Sequence, residues 1–241
     1  MRHQAAAKQA MKKAAQAKSG SPWATLLVSV NSFAVVALAS VYWLTQNQWV
    51  AGERYWVISR AAALAAFLVL TVVVAIGLIL SHPKNKAHWH LTPKLLPWHQ
   101  ALMAALFALI GLHLFFTAID SKSGINGIAV FLPIHSQYHP LAVELGAAGL
   151  YLLLFVFGTA SLRKWVRVWL PIHRLSWLTW VVLCVHGFFA GTDTHLRFIY
   201  WTAGTLLFLM FFWRHWTNNE RKPLARPTLA KTRQSQKEVE P

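Results

Sequence analysis

Six stretches of this chain are apolar for about the length of a membrane crossing, and that limits the fold more than any other feature. Runs 23–44 and 61–80 contain no charged residue, 101–119 carries only His113, and 141–162 carries only Glu144. Run 172–190 carries Arg174 near its start, and 198–213 is the last and shortest. About 20 apolar residues span the hydrocarbon of a bilayer, where every backbone polar group must be satisfied within the protein. Charged residues make up only 12% of the chain, against about 25% in a soluble domain. The expectation is an all-α integral membrane protein, a six-helix bundle over 23–213 that contacts membrane lipid throughout.

The formal charge of +16 would suggest a nucleic-acid partner in a soluble protein. Here the cations are sorted by side. With the N-terminus inside, the inner segments hold 5 Lys/Arg before the first run, 3 between the second and third, 4 around 163–174 and 7 from residue 214 onward. The outer loops hold the remaining 4 of 23. Inner loops carry the Lys/Arg excess in membrane proteins, so both termini are expected to be cytoplasmic in a plasma (inner) membrane, with no nucleic acid bound. Residues 1–22 read as a basic cytoplasmic arm and 214–241 as a basic, disordered tail. Ala37, Leu38 and Ala39 resemble a signal-peptidase site, but the apolar run continues to Leu44. The first run is therefore expected to remain a helix; cleavage would leave five helices with the same orientation. The single cysteine, Cys184, permits no intrachain disulfide and is expected to pack.

Two of the runs share a frame. Pro97, Trp98 and His99 open one; Pro171, Ile172 and His173 open the other. The pattern His-x-Phe-Phe-x-x-x-Asp then runs from His113 to Asp120 and again from His186 to Asp193. A lone histidine in a membrane helix more often bonds to a neighbouring helix than binds a metal. Four in two matched pairs change that balance, because ionisable residues within a membrane are costly and usually functional. A rise of about 1.5 Å per residue separates His99 from His113 by about 21 Å and His173 from His186 by about 20 Å. Both segments run inward to outward in the assigned topology, so His99 meets His173 near the inner face and His113 meets His186 near the outer face. Each pair offers a heme iron one imidazole from either side, the low-spin arrangement suited to electron transfer.

One detail resists. Fourteen residues return to within about 40° of the starting helix face, but thirteen miss it by about 140°. The fifth segment must be distorted between His173 and His186, either near Pro171, where the first turn is not yet regular, or at a π-bulge. Arg174, beside an inner ligand, and Arg163 are candidate partners for inner heme propionates, with Lys164 and Arg167 nearby. Arg197 and Lys122 are candidates at the outer end. Phe115, Phe116, Phe188 and Phe189 either pack near the outer macrocycle or face lipid, while Trp98, Trp177 and Trp180 read as interfacial or packing residues. His88 and His90 lack a third metal ligand in sequence. Asp120, His135, His139, Asp193 and His195 form an outer polar cluster suited to a ferric chelate, or are simply solvated loop residues.

At these residues the chain resembles the ferric reductase-like transmembrane domain, shared by ferric reductases, NADPH oxidases and the heme subunit of bacterial methionine sulfoxide reductases. The resemblance covers about residues 60–213. It rests on the two histidine spacings, on Leu162, Arg163 and Lys164 leading to Pro171–Trp177, on Val185, His186 and Gly187, and on Ala190–Asp193. It implies a six-helix bundle with two b-type hemes between the third and fifth helices, and electrons passing outward. Larger members carry a fused flavin–nicotinamide module. A module of that kind needs on the order of a hundred residues and usually a Gly-rich nucleotide loop, and 214–241 has neither. The expected role is thus a membrane oxidoreductase component with a separate donor, either a soluble flavoprotein reductase holding the flavin or membrane quinol. The acceptor is a ferric chelate or an outer protein. The alternatives are a heme subunit dedicated to an outer oxidoreductase, and a non-redox transporter with structural histidines and Glu144 as its ion site. No residue of this chain is assigned a catalytic role.

Overall fold

The computed structural model describes residues 46, 53–82, 91–120, 124–125, 127–132, 138–191 and 194–219. The run at 23–44, the basic arm, His88, His90, Lys122, His135, Asp193 and the tail beyond Asn219 lie outside the described residues.

The described residues are all helical, without strands. They comprise α1 (Arg54–Ser81), α2 (Thr92–Ile119), α3 (Pro140–Ser161), the short α4 (Trp169–His173), α5 (Ser176–Ala190) and α6 (Arg197–Asn219). Single 3₁₀ turns occur at Gly127–Val130 and Thr194–Leu196. Counting α4 and α5 as one crossing, five helices among the described residues are long and apolar enough to span a membrane.

The helices overrun the apolar runs. α1 begins seven residues before Ala61 and takes in Arg54 and Arg60, whose long side chains extend polar heads from an apolar stem. The Arg60 guanidinium lies over the Trp56 ring, 5.5 Å from its centroid. α1 stops at His82, which turns extended (ψ 138°) because Pro83 follows and excludes the helical conformation of the residue before it. α2 starts at Thr92, with Pro93 in its first turn, and accommodates Pro97 in its interior. α6 continues six residues past Trp213. Hydropathy marks the depth of hydrocarbon; the hydrogen-bonded helix extends beyond it.

α1 and α2 form one antiparallel hairpin and α3 and α5 another; α1 also packs on α5 and α6. α2 and α5 do not pack closely against each other. The core lies where α1 meets the rest: Phe67, Leu70, Val74, Leu106, Leu109, Leu153, Trp180, Ala203 and Leu207 are buried together. Trp180, 7% exposed, donates its indole N–H to Thr71 Oγ1 at 2.9 Å, and so fastens α5 to α1 at mid-depth. Trp98 and Trp177 are exposed, as are Trp201, Phe208, Phe212 and Trp216 on α6. So broad an apolar exterior on a folded chain marks a surface built for a non-aqueous or protein neighbour.

Candidate functional site

Both histidine pairs come together. The rings of His99 and His173 have their centroids 6.2 Å apart, and those of His113 and His186 are 6.4 Å apart. Two imidazoles bound to one metal from opposite sides have ring centres about 6.4 Å apart, given about 2.0 Å from nitrogen to metal and about 1.2 Å from nitrogen to ring centre.

The ring nitrogens are already sorted. His113 Nδ1 lies 3.0 Å from the Ser59 carbonyl, His186 Nδ1 lies 2.6 Å from the Ala142 carbonyl and His99 Nδ1 lies 3.2 Å from the Val73 carbonyl. A carbonyl only accepts, so each Nδ1 carries the proton and each neutral ring keeps its lone pair on Nε2. Metal-ligating histidines are held in this way, the other ring nitrogen donating to a backbone carbonyl or carboxylate. His173 differs: its Nδ1 is buried and has no hydrogen-bond partner.

The rotational mismatch is resolved by a break. The helix is interrupted at Arg174–Leu175, where Leu175 N–H bonds to Ile172 O three residues back at 2.9 Å. The tighter turn separates α4 from α5 and lets His173 face the same way as His186. The break falls just after His173, not at Pro171, which sits inside α4.

A cavity of about 700 Å³ surrounds the outer pair, bounded by α1, α2, α3, α5 and α6. That volume falls within the range of cofactor sites, about 300–1,000 Å³. His113 and His186 line it, with apolar side chains such as Leu70, Leu106, Ile110 and Leu150 and the two cations Arg60 and Arg197. Gly146 is required there: a Cβ on it would stand 2.6 Å from the His186 ring. His99 and His173 do not line this cavity. Of the four outer phenylalanines, Phe188 lines the cavity, Phe116 stacks on Tyr55, and Phe115 and Phe189 are each 58% exposed.

Among the described residues, no three His, Cys, Asp or Glu side chains gather into a group. A bare first-row ion such as zinc takes about four protein ligands. Two facing imidazoles suit instead a metal whose remaining positions are filled by its own macrocycle. Of the outer polar cluster, the described members Asp120, His139 and His195 do not gather into one group; Asp120 is buried, while His139 and His195 are exposed. Arg163 and Arg174 are exposed at the α4 end. Ser59, Thr117, Arg60 and Gly146 complete the outer site and were not singled out by sequence. Arg60 was detectable as a charge abutting an apolar run, but Ser59 meets His113 across 54 residues, beyond any periodic signal.

Comparison with protein-family models, with curated proteins and with solved structures finds no match.

Proposed function

We propose that this chain is a six-helix membrane electron conduit of the ferric reductase-like kind. It would hold one b-type heme between His99 and His173 and another between His113 and His186, with both termini cytoplasmic. The observation that carries the reading is the repeated ring separation, 6.2 and 6.4 Å at two depths. Histidines in incidental contact would have no reason to recur at the same spacing. When bound, a bis-histidine heme supplies one-electron chemistry with its potential set by ligands, hydrogen bonds and burial.

The chain's own residues do the rest. The Nδ1–carbonyl bonds orient the rings, the largely apolar cavity limits water, and Arg60 and Arg197 in its lining would pair with propionates. Arg163 and Arg174 serve the same purpose at the inner end. Cytoplasmic placement of the basic loops follows from the Lys/Arg distribution and presents a cationic face to an acidic donor protein. The donor is a separate flavoprotein or quinol, and the acceptor is an outer ferric chelate or protein. An outer protein as acceptor is the second reading, favoured by the dispersal of Asp120, His139 and His195.

Heme content of the detergent-purified protein, expressed with ample heme, tests the proposal. About two low-spin b hemes per chain are expected in a dithionite-reduced minus oxidised spectrum, as for bis-histidine ligation. A heme-free preparation would end the electron-transfer account and leave the transporter reading.

A further inference from the structure

Around His113 the polar atoms close into a ring. Thr117 Oγ1 donates to the His113 carbonyl at 2.7 Å, as threonines in helices commonly do. With its proton committed there, Thr117 accepts from Ser59 Oγ at 2.6 Å. The lone pairs of Ser59 Oγ then face His113 Nδ1 at 2.8 Å, beside the Ser59 carbonyl at 3.0 Å. Every donor has an acceptor, and the chain that starts at the His113 ring ends at the His113 backbone. Ser59 is 3% exposed, so its hydroxyl competes with no bulk water. Hydrogen bonds linked in sequence at low dielectric polarise one another.

His186, the facing ring, has only the Ala142 carbonyl recorded at its Nδ1. His99 has one longer bond to Val73, and buried His173 Nδ1 has none. Among the four rings, His113 alone is held by a side-chain hydroxyl as well as a carbonyl.

We propose that Ser59 and Thr117 are positioning residues for His113, which fix its Nδ1–H tautomer and raise the donor strength of Nε2 toward the outer heme. The proposal rests on the two-heme reading. Ligands made more basic from behind favour the ferric form, and such partners are typically worth 10–100-fold in metal affinity. Ser59→Ala keeps the backbone acceptor and loses the hydroxyl. It should weaken ferric over ferrous binding about tenfold, which raises the outer potential by about 59 mV for a one-electron couple, and the inner potential should stay fixed. Thr117→Val removes the next member of the ring and should move the same potential in the same direction by less. Ser59→Thr restores a hydroxyl and should return the potential toward the parent value.

A spectroelectrochemical titration of the full-length protein and these variants gives the answer, with heme content measured on the same samples. The outer potential is identified as the one lost with His186→Ala. Two hemes with unchanged potentials in Ser59→Ala overturn the assignment and leave the conduit standing, as do equal shifts of both hemes. If Ser59→Ala does not accumulate, an unmoved potential in Thr117→Val overturns it in the same way. A parent protein without heme overturns the two-heme reading itself.

Discussion

On the proposed two-heme reading, His113→Ala and His186→Ala should each remove the same heme, taking the protein from about two hemes per chain to about one, and His99→Ala and His173→Ala should each remove the other. The reason is the donor set. Each site is two imidazoles, and among the described residues no third His, Cys, Asp or Glu joins either pair, so nothing replaces a lost ligand. Removing both members of a pair therefore costs little more than removing one, whereas combining His113→Ala with His173→Ala empties both sites. Pyridine hemochrome quantitation of the purified variants reads this directly. Were His99→Ala and His186→Ala to remove the same heme, the pairing by depth would be wrong. The two layers should also differ in retention. The outer pair is enclosed by the cavity and has hydrogen bonds on both rings, while the inner pair lies outside that cavity and His173 lacks one.

Gly146→Ala, the smallest change available to the chain, should strip the outer heme. The added methyl would sit 2.6 Å from His186 Cε1 and 2.7 Å from Nδ1. The ring cannot turn aside without breaking the Nδ1 bond to Ala142, at 2.6 Å. The methyl of Gly149→Ala would stand 2.5 Å from Leu183 Cδ2 and 2.8 Å from its Cγ, so it should cost stability by displacing Leu183 while leaving His186 and the heme content untouched. Gly158→Ala meets nothing within 4 Å and should gain about 0.5–1 kcal/mol of helix stability, as replacing an interior glycine generally does. The contrast among three glycines of one helix separates a steric effect on the ligand from a general effect on α3. Heme content and thermal unfolding of the three variants measure it, and a Gly146→Ala protein with full outer heme would show that His186 has more freedom than the structure gives it.

The histidine geometry was legible because it is local: two helices, fixed rise, and spacings of 14 and 13 that match in depth. The same arithmetic required a distortion before His186 and left two places for it, the entry turn near Pro171 or a π-bulge. Neither Arg174 nor Leu175 is a helix breaker, and the break lies where the helix must rotate to present His173. Helix ends were less legible, since charge at Arg54, Arg60 and Arg214 lowers hydropathy without ending hydrogen bonding. The hydroxyl behind His113 was not legible at all. Ser59 fell outside the apolar run drawn from 61, and only the antiparallel packing of α1 on α2 carries it to the ring.

Each pair takes one ring from α2 and one from the α4–α5 segment that pairs with α3, while α2 and α5 themselves do not pack closely. The polypeptide leaves a seam there, crossed at mid-depth by Trp180 and Thr71. On the two-heme reading, a metal gripped from both sides would be a suture between the two halves. Loading and assembly become one equilibrium: each tenfold excess of free ligand over its dissociation constant adds about 1.4 kcal/mol to the assembled state. On that reading the resistance of this chain to unfolding would be a gauge of cofactor supply as much as a property of its sequence.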